Sequence, residues 1–313
     1  MNVQQLRYVR ETIRQGLNLT AAASTLHTSQ PGISRQIREL ERELGIELFV
    51  RRGKRVIDLT ESGRALVPIV DRVLQEIDNL RSAAADFNDQ DSGSLTVATT
   101  HTQARYSLPA VVAAFKGAYP RVHLSLHQGN PPQIAEMVLR GAADIGIATE
   151  ALEQHPTLIA LPGYTWQHCI VVPLDHPLLG ESRLSLEALA RYPLITYDPA
   201  FAGRSHIDEA FAARGLKPDV VLAAIDSDVI KTYVELGLGV GIIAAMAFDP
   251  ARDQKLRMLE APNLFRSNTT RVALLRGRRL RSFTFAFIEK FAPHLSRHVV
   301  EKALAGPEES YEL

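Results

Sequence analysis

The chain has 313 residues, and its 35 basic and 35 acidic side chains give a formal net charge of zero. This length allows two or three domains, each with its own core. With 46% hydrophobic and 22% charged residues the composition is that of a globular protein. No run approaches the roughly 18 apolar residues that span a bilayer, which excludes a membrane-spanning protein.

The single cysteine and the polar start of the chain indicate a reducing compartment. Cys169 has no partner for an intramolecular disulfide, and residues 1–7 lack the apolar core of a signal peptide. We expect a cytoplasmic protein without a membrane partner. We interpret Cys169 as a small buried side chain rather than a redox sensor.

Three regions differ in their sequence pattern. Residues 1–59 contain short helical segments with tight connections, and residues 60–92 contain one long helix followed by a polar linker. Residues 93–313 alternate short β-branched runs with amphipathic helices, which predicts an α/β domain with mostly parallel strands. Basic residues concentrate at the start, with eleven bases against seven acids in residues 1–65.

The first region is typical of three short helices. The second helix opens at Leu19 with Thr20 as its expected N-cap, and Gln30 and Pro31 start the third. The apolar residues at helical spacing, which we expect to face inward, are Leu6, Val9 and Ile13 in the first helix and Ile33, Ile37, Leu40 and Leu44 in the third.

The third helix has a polar outer face. Its residues, with the turn before it, are Thr28, Ser29, Gln30, Pro31, Ser34, Arg35 and Arg38. Two short helices joined by a tight turn, the second carrying Ser, Gln and Arg, are typical of a helix-turn-helix that reads the major groove. A small helical bundle with solvated arginines is the alternative.

Two short extended runs surround a basic turn. They are residues 48–50 and 56–59, and we predict that they form a β-hairpin wing. Arg51, Arg52 and Lys54 then lie beside DNA phosphates. A solvated surface loop is the alternative interpretation.

The long helix opens at Thr60, and its apolar residues alternate at spacings of four and three. The stripe comprises Leu66, Val70, Val73, Ile77, Leu80, Ala84 and Phe87. This heptad pattern predicts pairing with a second copy of the helix at residues 60–88, and packing against the chain's own domain is the alternative. Pro68 lies off the stripe and should kink the axis.

The α/β region begins with a possible anion site. A strand at Leu95–Thr99 ends in a hydroxyl-rich turn, and a helix follows near Thr102 or Gln103. Unpaired amides and the positive dipole end of a helix suit an oxyanion, to which Thr100, Thr102 and Gln103 add neutral donors. Sulfate fits such donors without a countercharge, whereas a protonated phosphate also needs an acceptor. Ordinary helix capping is the alternative.

Three sequence patterns superficially resemble cofactor, metal or catalytic sites, and each lacks a feature that such a site requires. The glycines at 237–241 follow a helix, whereas a dinucleotide fingerprint follows a strand. His123 and His127 share a strand face without further ligands nearby. Residues 205–208 contain Ser, His and Asp, which we interpret as a helix start capped by Ser205 rather than as a triad. We therefore predict no enzyme and no metal.

The N-terminal motifs resemble the DNA-binding domain of LysR-type transcriptional regulators. The resemblance rests on Ala21–Ala23, Thr28–Ser34, Ile37, Leu40–Glu41, Leu44–Gly45, Leu48–Phe49, Arg51 and Thr60–Gly63. It continues over nearly the whole chain, where the sequence is similar to the CysB-like branch of sulfur assimilation regulators. The segments that carry this similarity are Ala98–Tyr106, Gln133–Glu136, Ala148–Ala151, Gly203–Ser205, Asp228–Val234 and Phe291–Leu295.

This resemblance implies a winged helix-turn-helix (1–59), a linker helix with a hinge (60–92) and a two-lobed effector domain of periplasmic-binding-protein type (93–313). Lobe I is expected at about 93–164 and 269–313, and lobe II at about 165–268. The resemblance further implies promoter DNA and RNA polymerase as partners and a homotetramer. The implied function is activation of sulfur assimilation genes, and the implied effector is a sulfate-like anion, adenosine phosphosulfate or acetylserine.

The resemblance also implies the effector site. Its expected residues are Thr100, Thr102, Gln103, Thr149, Trp166, Ala202, Gly203, Arg204 and Ser205. The branch often has a threonine where this chain has Ala202, so one anion donor that the resemblance implies is missing here. A LysR-type regulator of another pathway is the alternative. A solute-binding protein would not explain residues 1–88.

Overall fold

The structure is a computed structural model that describes residues 1–53, 55–149, 151–199, 201 and 203–305. The predicted site residues Lys54 and Ala202 lie outside the described residues. The chain divides into two compact units, an N-terminal unit (Met1–Asn88) and a C-terminal unit (Asp89–Leu313). Within the described part, none of the helices combines the length and apolar character needed to cross a membrane.

The N-terminal unit contains four helices and a hairpin. These are α1 (Val3–Arg14), α2 (Leu19–Thr25), α3 (Gln30–Leu44), β1 (Phe49–Arg52), β2 (Arg55–Leu59) and α4 (Glu61–Asn88). Strands β1 and β2 pair antiparallel, as the predicted wing requires. The predicted apolar stripes of α1 and α3 form one core with α2 and the base of the hairpin.

Two local predictions in this unit are wrong. The N-cap of α2 is Asn18, whose side chain accepts from the amides of Thr20 and Ala21, so the chain enters the helix two residues before Thr20. Leu44 is 41% exposed, because α3 ends there and its last turn extends past the core. Glu41 is buried at the corresponding position one turn earlier.

The start of α4 packs closely against the base of the wing. Thr60 Oγ1 accepts from the Gly63 amide (2.9 Å) and donates to the Glu47 carbonyl (2.5 Å). A Cβ on Gly63 would collide with the Leu48 carbonyl, so only glycine fits there. This contact fixes the direction in which α4 leaves the hairpin.

Helix α4 is continuous from Glu61 to Asn88, with Pro68 inside it. The predicted stripe divides into two parts along it. Leu66 and Val70 are half-buried and pack with the buried Leu74 against the core of the N-terminal unit, so part of their surface is covered within the chain. The later stripe residues Val73, Leu80 and Phe87 are 41%, 71% and 89% exposed.

The C-terminal unit is built on two five-stranded sheets. The first has the order β4-β3-β5-β12-β6 and the second the order β11-β7-β10-β8-β9. The strands of the first are β3 (Gly93–Thr99), β4 (Val122–Gln128), β5 (Ile145–Ala148), β6 (Leu158–Trp166) and β12 (Asn268–Leu275). Those of the second are β7 (His168–Pro173), β8 (Leu194–Tyr197), β9 (Val220–Ala224), β10 (Val240–Ala244) and β11 (Leu256–Glu260).

Helices cover both sheets. They are α5 (Leu108–Ala118), α6 (Pro131–Leu139), α7 (Leu186–Leu189), α8 (Arg204–Ala213), α9 (Ser227–Glu235), α10 (Ser282–Phe291) and α11 (Arg297–Ala305). The first sheet with its helices is lobe I, and the second is lobe II. Each lobe has its own apolar core.

The prediction of mostly parallel strands is confirmed, because in each mixed sheet four of the five strands run in one direction and only β12 or β7 runs against them. In lobe I, β3 pairs parallel with β4 and β5, whereas β12 pairs antiparallel with β5 and β6. In lobe II, β10 likewise pairs parallel with β8 and antiparallel with β7. The antiparallel pairs arise because the chain leaves lobe I along β6 and returns along β12.

The lone cysteine lies inside lobe II. Cys169 is 2% exposed on β7, and burial raises the pKa of its thiol to about 12. A thiol in this state is a poor nucleophile. This environment agrees with the interpretation of Cys169 as a small buried side chain.

Candidate functional site

The polar face of α3 is open to solvent. Ser29 caps the helix by accepting from the Gly32 amide at 3.2 Å. Arg35 and Arg38 are exposed, and Arg35 forms only a loose 3.6 Å ion pair with Glu39. The other predicted contact residues on this face are Thr28 and Pro31, which are exposed, and Gln30 and Ser34, which are half-buried. The face can therefore offer amide, hydroxyl and guanidinium donors to a DNA groove.

The wing divides its arginines between two roles. Arg52 is exposed. Arg51 is largely covered, and its guanidinium bonds Glu41 at 2.7 Å. The second carboxylate oxygen of Glu41 accepts from the amides of Leu48 and Phe49, so Arg51 and Glu41 together hold the hairpin on α3.

The C-terminal unit has a pocket where strands of both lobes end. It is lined by Thr100, Thr102, Gln103, Thr149, Trp166, Tyr197, Phe201 and Ile225. Five of these residues are among those predicted for the effector site. Most follow the carboxyl ends of the parallel strands β3, β5, β8 and β9, where open α/β sheets bind ligands.

The hydroxyl donors of the pocket come from lobe I. Thr100 and Thr149 are 6% and 4% exposed and follow β3 and β5. The helical segment after β3 starts at His101, one residue before the predicted start, and the Thr100 carbonyl accepts from the Ala104 amide. It includes a π-helical turn, Gln103–Ser107, before α5. π-Helical turns are rare in proteins, and those that occur are often located at functional sites.

Gln103 is committed to the scaffold of the pocket. It is 1% exposed, and its Nε2 donates to Thr270 Oγ1 at 3.1 Å. Its Oε1 accepts from the Tyr164 hydroxyl. Trp166 Nε1 donates to the same Thr270 oxygen at 3.1 Å, so the indole ring carbons face the pocket. Because one Nε2 hydrogen is already used, Gln103 has only its second Nε2 hydrogen to donate to an anion, as was predicted for this residue.

The π-helical turn also carries the contact between the lobes. The Tyr106 hydroxyl donates to Asp228 Oδ1 at 2.6 Å, and Arg105 lies 3.4 Å from the same carboxylate. Lys231, which is buried, approaches Asp228 at 3.3 Å and pairs with Asp253 at 3.0 Å. We call the Tyr106–Asp228–Lys231 group the lobe latch. Gln103, which lines the pocket, and Tyr106, which joins the lobes, therefore lie on the same π-helical turn.

The predicted residues on lobe II lie at the start of α8. Gly203, not Ser205, occupies the N-cap position, so the cap prediction is wrong. Gly203 has a φ of 84°, and a Cβ there would collide with the ring of the buried His168. The Arg204 side chain bonds the Tyr197 carbonyl and Asp208 at 2.7 and 2.8 Å. Arg204 thus fixes the helix start and does not line the pocket.

One group of residues beside the latch has metal-binding side chains. His101, Asp226 and Asp228 bring potential ligand atoms within 4.8 Å of one another. Asp226 accepts from the Val229 amide as the N-cap of α9. Asp228 already forms ion pairs with Lys231 and Arg105. The nearby positive charge of Lys231 opposes a divalent cation, so these contacts suit a junction between lobes better than a metal site.

Both units match known family models. Residues 3–64 match the bacterial regulatory helix-turn-helix protein, lysR family, and residues 88–296 match the LysR substrate binding domain. The chain belongs to the LysR family of transcriptional regulators. As a LysR-type regulator it binds promoter DNA through the N-terminal unit, takes a small-molecule effector in the C-terminal unit and is not an enzyme.

This LysR-type regulator is similar to named relatives over its full length. It is 57% identical over 313 residues to the HTH-type transcriptional regulator CysB of Burkholderia cenocepacia, covering 100% of both chains. It is 56% identical over 306 residues to the regulator SsuR of the same organism, covering 98% of both. The solved cofactor-binding domain of the Cbl transcriptional regulator matches with a TM-score of 0.65 and 48% identity, covering 67% of this chain and 92% of that one.

Three pocket residues of this LysR-type regulator were not predicted from the sequence. They are Tyr197, Phe201 and Ile225, all from lobe II. Tyr197 ends β8, and its hydroxyl bonds Ser227 at 2.6 Å and accepts from the Ala244 amide at 2.9 Å. The usable signal was the position of each residue at or just after the end of a short apolar strand.

Proposed function

We propose that this regulator activates sulfur assimilation genes when a sulfate-like anion occupies the pocket between the lobes. The observation that carries the proposal is the set of three threonines, Thr100, Thr102 and Thr149, on one side of that pocket. The similarity to CysB and SsuR supports the sulfur assignment. Since its target is promoter DNA, we assign the protein to the cytoplasm.

The donors of the pocket suit a fully ionised oxyanion. Hydroxyls and first-turn amides of the helix after β3 can each donate to an oxygen, and the positive end of the helix dipole favours negative charge. A protonated phosphate would also require an acceptor. The described lining residues carry no carboxylate, which favours sulfate over phosphate; Glu150 is outside the described residues.

The lobe latch provides a route from the effector to DNA. An anion held by Thr100 and Thr102 acts on the helix start that carries Tyr106, and Tyr106 holds Asp228 of lobe II. Binding therefore biases the orientation of the two lobes. In an oligomer this motion would change the spacing of the DNA-binding units and the contact with RNA polymerase.

The exposed part of α4 supports dimerisation. Val73, Leu80 and Phe87 recur at seven-residue intervals and remain solvent-exposed in the single chain. A heptad repeat of this kind pairs with a second helix. We propose a dimer through α4 and a tetramer through further contacts of the effector lobes.

On DNA, α3 would read bases and the wing would hold phosphates. We assign base contacts to Gln30, Ser34, Arg35 and Arg38, and phosphate contacts to Arg52 and Lys54. Replacing Arg35 with alanine should change base preference, whereas Arg52→Ala should weaken all sequences alike and reduce the salt slope by about one. Equal behaviour of the two variants would contradict this division.

Calorimetric titration tests the effector assignment. Sulfate, thiosulfate, adenosine phosphosulfate and O- and N-acetylserine are titrated into the full chain, into Thr102→Ala and into Thr157→Ala, an exposed threonine away from the pocket. We expect saturable binding by at least one of these ligands, weakened in Thr102→Ala and unchanged in Thr157→Ala. Absence of binding by all five would reject the sulfur assignment in favour of a LysR-type regulator of another pathway.

A further inference from the structure

The pocket has two chemically different sides. The threonine side consists of Thr100, Thr102 and Thr149 from lobe I. The apolar side consists of Trp166, Phe201 and Ile225. An inorganic oxyanion can use only the first side, because all its atoms that meet the protein are hydrogen-bond acceptors.

The polar atoms near the apolar side are already engaged. Trp166 donates its only N–H to Thr270, and the Tyr197 hydroxyl bonds Ser227 and the Ala244 amide. Ile225 lies at the rim and is 56% exposed. A large apolar side chain exposed at the mouth of a pocket is suited to contact a carbon group of a ligand.

The charge of the pocket points to a singly charged ligand. Among the described lining residues there is no cation. Arg271, which donates to the Thr149 carbonyl, is paired with Glu153. The cost of removing an ion from water grows with the square of its charge, so an unpaired double charge is held less favourably than a single one.

We infer that the preferred ligand is a singly charged organic oxyanion of the sulfonate or sulfate-monoester type. Its three free oxygens accept from the threonine side, and its carbon group lies against Phe201 and Ile225. The inference rests on the proposed anion site and names the class of ligand for it.

The single tryptophan of the chain gives a direct assay. Trp166 lines the pocket, so ligand titrations can be followed by its fluorescence, with calorimetry in parallel. The probes are sulfate, methanesulfonate, 1-butanesulfonate and pentanoate, which has a chain of the same length but a carboxylate head. A methylene that becomes buried contributes about 0.8 kcal/mol, which is about fourfold in affinity. We therefore expect 1-butanesulfonate to bind at least tenfold more tightly than methanesulfonate or sulfate, and pentanoate to bind weakly.

Two variants separate the sides of the pocket. Ile225→Thr keeps a β-branched side chain at an exposed position and should reduce the preference for 1-butanesulfonate over methanesulfonate about threefold or more. Val221→Thr makes the same kind of change on β9 outside the pocket lining and should leave it unchanged. Thr102→Ala should weaken all sulfur oxyanions alike.

The outcomes distinguish this inference from the proposed function. If sulfate binds as tightly as 1-butanesulfonate, or if Ile225→Thr has no effect on the preference, the organic ligand class is rejected while the anion site stands. If no sulfur oxyanion binds, or if Thr102→Ala changes none of them, the anion site itself is rejected.

Discussion

Replacing Glu41 with alanine should destabilise the N-terminal unit and leave the C-terminal unit unaffected. Glu41 is 7% exposed and accepts from the amides of Leu48 and Phe49 at 3.0 and 3.2 Å. Its other oxygen bonds Arg51 at 2.7 Å. The substitution leaves two buried amides unsatisfied and removes the partner of a largely covered guanidinium.

The expected loss is about 3–5 kcal/mol. An unsatisfied buried amide costs about 1–3 kcal/mol, and breaking a buried ion pair costs about 3–5 kcal/mol. These contributions overlap, since Arg51 retains 19% of its surface and can be rehydrated. A unit of 88 residues has a free energy of unfolding of about 4–13 kcal/mol, so the loss is a large fraction of the total.

Urea unfolding of the full chain can separate the two units. The only tryptophan, Trp166, lies in the C-terminal unit, so its fluorescence reports that unit, whereas circular dichroism at 222 nm also reports the helices of the N-terminal unit. For Glu41→Ala we expect an early dichroism transition with an unchanged fluorescence transition. Glu47→Ala removes an exposed carboxylate nearby and should change neither. An unshifted dichroism transition in Glu41→Ala, or a joint shift of both signals, would refute the reasoning.

Three further outcomes follow from the structure. Tyr106→Phe removes the 2.6 Å bond to Asp228 and should lower the stability of the C-terminal unit by about 1–2 kcal/mol, seen as a lower urea midpoint of tryptophan fluorescence; an unchanged midpoint would count against the latch. Burial, the main cause, lowers the pKa of His168 to about 3, below the unfolded value of about 6.5, so the unfolded state takes up the proton first and stability falls as the pH drops below about 6.5. Between pH 7 and pH 5 the free energy of unfolding should fall by about 2 kcal/mol more in the wild type than in His168→Gln. An equal fall in both proteins would reject His168 as the cause. Leu80→Asp should weaken self-association in sedimentation, whereas Arg72→Asp, on another exposed position of α4, should not.

Local features of the N-terminal unit could be predicted because neighbouring residues determine them. Ser29 and Pro31 mark the start of α3 whatever lies around them, and the basic turn between two apolar runs specifies a hairpin. The N-cap of α2 was predicted wrongly because Asn18 and Thr20 are both good caps. Which of two such residues is used depends on where the preceding loop leaves the core.

The long helix shows what spacing alone does not determine. A stripe of apolar residues predicts that a helix is covered on one side but does not name the partner. Leu66 and Val70 fit the heptad, yet with Leu74 they also form a run at four-residue spacing that faces the chain's own domain. Only the fold of α1 and the hairpin determines where that domain ends and the exposed part of α4 begins.

The pocket was predictable from lobe I and not from lobe II. Thr100, Thr102 and Gln103 lie together in the sequence, where a strand meets a helix, so their grouping is visible locally. Phe201 and Ile225 are separated from them by about a hundred residues and reach the pocket through the arrangement of two sheets. The order of the strands in those sheets depends on pairing partners far away in the chain, which the local sequence does not specify.

The path of the chain through the two sheets has a consequence for synthesis on the ribosome. Strand β12 lies between β5 and β6, so the sheet of lobe I cannot close until residues 268–275 have been made. Lobe II is complete once β11 ends at Glu260. A nascent chain emerges from its N-terminus at about 5–20 residues per second. Although the first strand of lobe I begins 75 residues before that of lobe II (93 against 168), we therefore expect lobe II to fold first, while β5 and β6 of lobe I still lack β12 between them.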